Sequence, residues 1–103
     1  MEKSRLEFLE EAVRGDPDHA FMRYGLAMEL KNAGRDTEAW THFEYLLAHQ
    51  PEYAATYAQA GMLLAKLGRV DEARSVFQKG IEVTGQQGKV HARDELQAAL
   101  DDL

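Results

Sequence analysis

Residues 20–53 read AFMRYGLAMELKNAGRDTEAWTHFEYLLAHQPEY, and residues 54–87 read AATYAQAGMLLAKLGRVDEARSVFQKGIEVTGQQ. At a shift of 34 (54 − 20), Ala20 meets Ala54, Met28 meets Met62, Leu30 meets Leu64, and Gly34-Arg35 meets Gly68-Arg69. Glu38-Ala39 meets Glu72-Ala73, Phe43 meets Phe77, and Pro17, just ahead of the stretch, returns as Pro51. A period of this length marks one supersecondary unit stacked on copies of itself. Arrays of that kind offer a surface for binding rather than a reaction centre.

Helical periodicity runs almost end to end and breaks only at glycine or proline. It predicts a first helix over about residues 2–14, with Leu6, Leu9 and Val13 on one stripe, ended by Gly15-Asp16-Pro17. A second helix follows over about 18–33 and stops at Gly34, after which Asp36 is placed to cap a third helix over 36–49. The fourth is expected over 52–67, the fifth over 70–84 before the Gly85-Gln86-Gln87-Gly88 turn, and the sixth over 90–102. The connections are short enough that only antiparallel neighbours fit.

The recurring residues have packing roles. Ala27 and Gly61 sit midway along the first helix of each pair, where a small side chain lets the partner helix come close. Ala39 and Ala73 are the matching small positions of the second helix, and Phe43 and Phe77 fill the space so left. Gly34 and Gly68 supply the left-handed residue that turns one helix back on the next. The opening helix obeys the same register, since the 34-residue shift lays Leu9 on Phe43, Val13 on Leu47 and Pro17 on Pro51. The chain thus reads as one domain over 1–103: a half-repeat helix (2–17), two full repeats (20–53 and 54–87) and a capping helix (88–103).

These residues resemble the tetratricopeptide repeat. Counted from Ala20 and again from Ala54, the family's small eighth residue falls on Ala27 and Gly61, its glycine on Gly34 and Gly68, its alanine on Ala39 and Ala73, and its aromatic on Phe43 and Phe77. The closing proline is Pro51 in the first copy but Gly85 in the second, and Arg23 stands where the first copy would carry an aromatic. The chain looks like the small stand-alone bacterial members of the family. The resemblance implies an all-α, right-handed α-solenoid of about six helices, with a concave groove lined by the first helix of each pair. Mapped onto this chain, the groove takes Phe21, Tyr24, Met28 and Lys31 from the first repeat, Gln59, Met62 and Lys66 from the second, and Arg93 from the last helix. Aromatic and methionine side chains flanked by lysine suit a peptide with an apolar anchor and some acidic character. Some members also clamp a terminal carboxylate; Lys89 and Arg93 fall on two of the clamp's positions, while Tyr24, Met28 and Gln59 depart from the other three. Phe21 and Tyr24 stand off the expected intra-repeat packing positions.

Composition narrows the partner. Hydrophobic residues make up 45% and charged residues 29%, as in an ordinary globular chain. No apolar run approaches the roughly 20 residues that span a bilayer. The net charge of −6 disfavours nucleic acid and anionic membrane, both of which need a basic face. With no cysteine, thiolate chemistry and cysteine-ligated zinc are excluded, and a cytoplasmic setting is expected. His42 and His49 share a helix face seven residues apart, about 10 Å of rise and too far for one metal. Acidic neighbours such as Glu10-Glu11 point in different directions on a helix, and no nucleophile motif surrounds Ser4 or Ser75. The expectation is therefore no catalytic residue, no cofactor and no metal. The primary reading is an adaptor that binds a protein or peptide of unknown identity. The alternative is a self-associating module, a homodimer in which a terminal helix or Trp40 packs on another copy.

Overall fold

The computed structural model describes residues 2–103; Met1, the first residue of the expected domain, lies outside them. Among the described residues there are six helices and no strand: α1 (Arg5–Gly15), α2 (Ala20–Asn32), α3 (Asp36–His49), α4 (Ala55–Lys66), α5 (Val70–Gln86) and α6 (Val90–Asp101). They form two compact units that part between Tyr53 and Ala54, the boundary of the sequence repeat. In the first, α2 packs against both α1 and α3; in the second, α4, α5 and α6 pack on one another.

Local chemistry sets the helix ends. The Ser4 hydroxyl accepts from the Glu7 N–H at 3.1 Å and starts α1, and the His19 ring does the same for Met22 at the start of α2. The first helix therefore begins at Arg5 rather than near Glu2. Asp36 is the first residue of α3 and not its cap; Arg35 holds the cap position and grips Glu38 through two hydrogen bonds of 2.8 and 2.6 Å. Arg69 and Glu72 repeat that grip at the start of α5. Gly34, Gly68 and Gly88 have φ of 78°, 80° and 71°. The N–H that follows each one bonds back to Leu30, Leu64 or Thr84, closing the helix with a left-handed turn. Gly85 is not such a turn. It continues α5 through Gln86, because the left-handed residue is Gly88.

Packing in the second unit is built on absent side chains. A Cβ on Gly61 would lie 2.3 Å from Phe77 Cε1, so the ring occupies the notch in α4. A Cβ on Gly80 would lie 2.6 Å from Tyr57 Cβ and 3.0 Å from Leu96 Cδ1, so this glycine admits both α4 and α6 onto α5. Tyr57, Leu63, Leu64, Phe77 and Leu96 are buried around these two points. The sequence pattern pointed to Gly61; Gly80 escaped it, because its repeat partner is Leu46.

The first unit buries Leu9, Val13, Leu26, Ala27, Leu30, Ala39, Phe43 and Leu46. Its departure from the aromatic pattern, Arg23, is 8% exposed. The guanidinium lies 3.7 Å from the Tyr45 ring centroid, donates to the Pro17 carbonyl at 3.1 and 2.8 Å, and bonds His42 Nδ1 at 3.0 Å. An arginine has no acceptor, so His42 Nδ1 must accept and the imidazole is neutral. The Tyr45 hydroxyl in turn donates to Asp18, and the ring stacks on His49. The buried cation thus has a carbonyl, an imidazole and a π-face as partners, which offsets its desolvation.

Two outcomes follow from this packing. Gly61→Ala drives a methyl into a rigid ring and lowers stability by about 2 kcal/mol, even though alanine favours the helix. Urea unfolding reads this, and the loss shrinks in a Phe77→Leu background; equal losses in both backgrounds would refute the notch. Burial, and then the Arg23 charge, hold the His42 pKa below its usual 6.5. The stabilisation is complete above that value and is lost as pH falls toward the lower folded-state pKa, because the unfolded chain takes up the proton first. His42→Gln, which keeps an acceptor for Arg23, flattens the fall in stability between about pH 7 and pH 5. An unchanged slope would place the titration elsewhere.

Candidate functional site

Helix α2 meets α1 on one side and α3 on the other, and its exposed turn faces a cavity of about 310 Å³ in the first unit. Arg5 and Leu9 of α1 line one wall; Phe21, Tyr24, Gly25, Met28, Glu29 and Asn32 of α2 line the other. The sequence places Phe21, Tyr24, Gly25, Met28 and Glu29 within two to three turns of one helix, so the α2 wall follows from helical spacing. Gly25 keeps α1 near, since a Cβ there would touch Leu9 Cδ2 at 3.4 Å. Arg5 Nε reaches Glu29 Oε1 at 2.8 Å and ties the two walls together.

The side chains on this cavity differ in how firmly they are held. Phe21 is 66% exposed, an apolar ring with little of its own chain around it. Met28 is half-buried and unbranched, so it adapts its shape to a neighbour. Tyr24 is half-buried and lies edge-on to Phe43 at 6.2 Å and against Tyr53 at 5.9 Å. This corrects the expectation that Tyr24 stands off the intra-repeat packing. Its ring belongs to the unit's own aromatic cluster, and it reaches the cavity with only part of its surface. Burial, followed by Tyr53, raises the Tyr24 pKa above the ordinary phenol value, so the hydroxyl is a neutral donor or acceptor there.

Of the eight residues expected at the groove, the first unit brings Phe21, Tyr24 and Met28 together on the cavity, while Lys31 shares their helix without lining it. In the second unit Gln59, Met62 and Lys66 lie on α4, with Met62 49% exposed, and Arg93 lies on α6 against Asp94 at 3.4 Å. The sequence reading missed Arg5, Leu9 and Glu29. In the sequence Leu9 is legible as part of the Leu6–Leu9–Val13 stripe and as the counterpart of Phe43, and nothing local marks Arg5 and Glu29 as facing one another. The cavity mixes the apolar surfaces of Leu9, Phe21 and Met28 with Tyr24, Asn32 and the Arg5–Glu29 ion pair, an arrangement that can hold a side chain. Among the described residues no group of three histidine, aspartate or glutamate side chains converges as metal ligands, and no helix is long and apolar enough to cross a membrane.

Comparison with known proteins agrees with the repeat. The solution structure of a tetratricopeptide repeat domain protein from Salinibacter ruber is 36% identical, with a TM-score of 0.80 over 84% of this chain and 88% of that one. The TPR repeat-containing protein PA0015 of Pseudomonas aeruginosa is 26% identical over 98 residues, which is 95% of this chain and 93% of its own. The antiviral innate immune response effector IFIT1 of Homo sapiens is 28% identical over 76 residues. The chain spans only 16% of that relative's length. No family model matches the chain. The fold is that of the α-solenoids, and repeats of this kind are in general non-catalytic modules of protein–protein interaction. With two aligned repeats, six helices and this likeness to small bacterial proteins, the chain belongs to the tetratricopeptide repeat family.

Proposed function

We propose that this protein is an adaptor that binds a peptide or protein segment, and that the cavity between α1 and α2 is a docking point. The observation that carries the reading is Phe21, two-thirds exposed beside a cavity whose floor is Leu9, Gly25 and Met28. A large ring left in water beside a hollow with apolar and polar walls is the form an interface anchor takes before its partner arrives. Met62 on α4 is a second exposed apolar contact of the same type, with Gln59 and Lys66 on its helix and Arg93 on α6. The acidic balance of the chain favours a protein partner over nucleic acid or an anionic membrane, and the setting we assign is the cytoplasm.

Phe21→Ala with Met28→Ala removes the anchor and the adaptable wall without touching the Tyr24–Phe43 cluster. The double variant is expected to unfold at nearly the wild-type temperature and to bind a partner captured from lysate on the order of 30-fold more weakly. Isothermal titration against that partner decides it. Full retention of affinity would move the binding surface away from this cavity.

A further inference from the structure

We infer that Arg23 and His42 form a proton-operated latch: acid parts the α1–α2 turn from α2, and the second unit has no counterpart. At a shift of 34 (57 − 23) the members of the cluster meet residues that cannot do this. Arg23 meets Tyr57, His42 meets Val76 and Tyr45 meets Lys79, while Pro17 meets Pro51. Tyr57 is buried against Gly80 in the second unit. One chain thus carries the repeat in an aromatic form and in a form with a buried cation. A fold that accepts the aromatic has no need of the cation for stability, so the polar set asks for a reason of its own.

The latch has one titrating contact. Arg23 Nη1 lies 3.0 Å from His42 Nδ1, and a guanidinium only donates, so the bond exists only while that nitrogen carries no proton. Protonation turns the acceptor into a second donor and sets two cations against each other. Glu10 of α1 and Glu38 of α3 also act on His42 and favour its charged form, but burial and Arg23 outweigh them. Arg23, once parted from His42, takes with it the two bonds of 3.1 and 2.8 Å that it gives to the Pro17 carbonyl. Asp18 stays on α3, where its side chain accepts from the Tyr45 hydroxyl and its carbonyl accepts from Gln50 Nε2 at 3.1 Å. The turn therefore separates from α2 and not from α3, and the backbone bonds of the His19 and Arg23 N–H groups open with it. His49 is no part of the trigger. Its Nδ1 lies against the Tyr45 carbonyl, which only accepts, so that nitrogen carries a proton in either charge state. With the His42 pKa held below its usual 6.5, the latch is fully closed above that value and loosens as pH falls toward the lower folded-state pKa. One proton limits the effect to about tenfold per pH unit.

Amide hydrogen exchange, expressed as protection factors, tests this on the whole chain. Between about pH 7 and about pH 5, protection of the His19 and Arg23 N–H groups is expected to fall roughly tenfold. The Arg35 and Arg69 N–H groups, which close the turns at Gly34 and Gly68, are expected to hold within about twofold. In the wild type the fall levels off where the His42 ring takes up its own proton, read from its resonances. His42→Gln keeps an acceptor for Arg23 without a titrating ring, and the acid loss at His19 and Arg23 is expected to vanish in it. Equal loss at all four amides means global unfolding. Loss that persists in His42→Gln puts the trigger elsewhere, at the His19 ring that caps α2. Either result overturns the latch, as does wild-type protection that does not change with pH.

Discussion

A ring lying in the notch left by a missing side chain governs the second unit. Phe77 occupies the space a Cβ on Gly61 would need, and Tyr57 and Leu96 both lie where one on Gly80 would be. Interiors pack close to crystal density, so helices approach only where one side yields volume to the other. Two glycines yield it here, at a cost in helix propensity of roughly 1 kcal/mol each. The buried aromatic area gained in return far exceeds that cost. The positions of α4 and α6 on α5 follow from these two points, and so does the burial of Leu63, Leu64 and Thr84 around them.

The first unit solves the same problem differently. The positions that carry Tyr57 and Gly80 in the second unit carry Arg23 and Leu46 in the first. Leu46 is buried in its unit, and Arg23 reaches the Pro17 carbonyl, His42 and the face of Tyr45. A cation is tolerable there because every partner is an acceptor or a π-face and none is a second positive charge. His42 is held neutral by the same arrangement. One departure from the repeat thus becomes a polar cluster that pins the turn at Pro17 to α2 and α3.

The cavity is a further consequence of register. At a shift of 68 (77 − 9), Leu9 and Arg5 of α1 hold the positions of Phe77 and Ala73 in α5. The apolar side of α2 next to it, with Phe21 and Met28, is left partly uncovered. The cavity is made by side chains of two neighbouring helices. It needs no specialised loop.

The helices, their breaks at Gly34 and Gly68, the notch residue Gly61 and the family were all legible in the residues alone. Each depends on spacing within a single repeat, and a 34-residue period makes spacing visible twice. The ends of α1 and α5, the role of Gly80 and the partners of Arg23 were not legible. A cap depends on one hydrogen bond, a close approach on the residue across from it, and a buried cation on groups from the Pro17 turn and α3, none of which leaves a periodic trace. The same holds for the cavity. Phe21 and Met28 could be placed on one helix face by counting, but Arg5 and Glu29 are 24 residues apart in sequence (29 − 5) and 2.8 Å apart in space. Sequence alone determined which helices form and which surfaces are apolar, because both are periodic properties of the chain. Tertiary structure alone decided which of those surfaces stay open, because burial depends on whether a neighbouring helix is there to cover them.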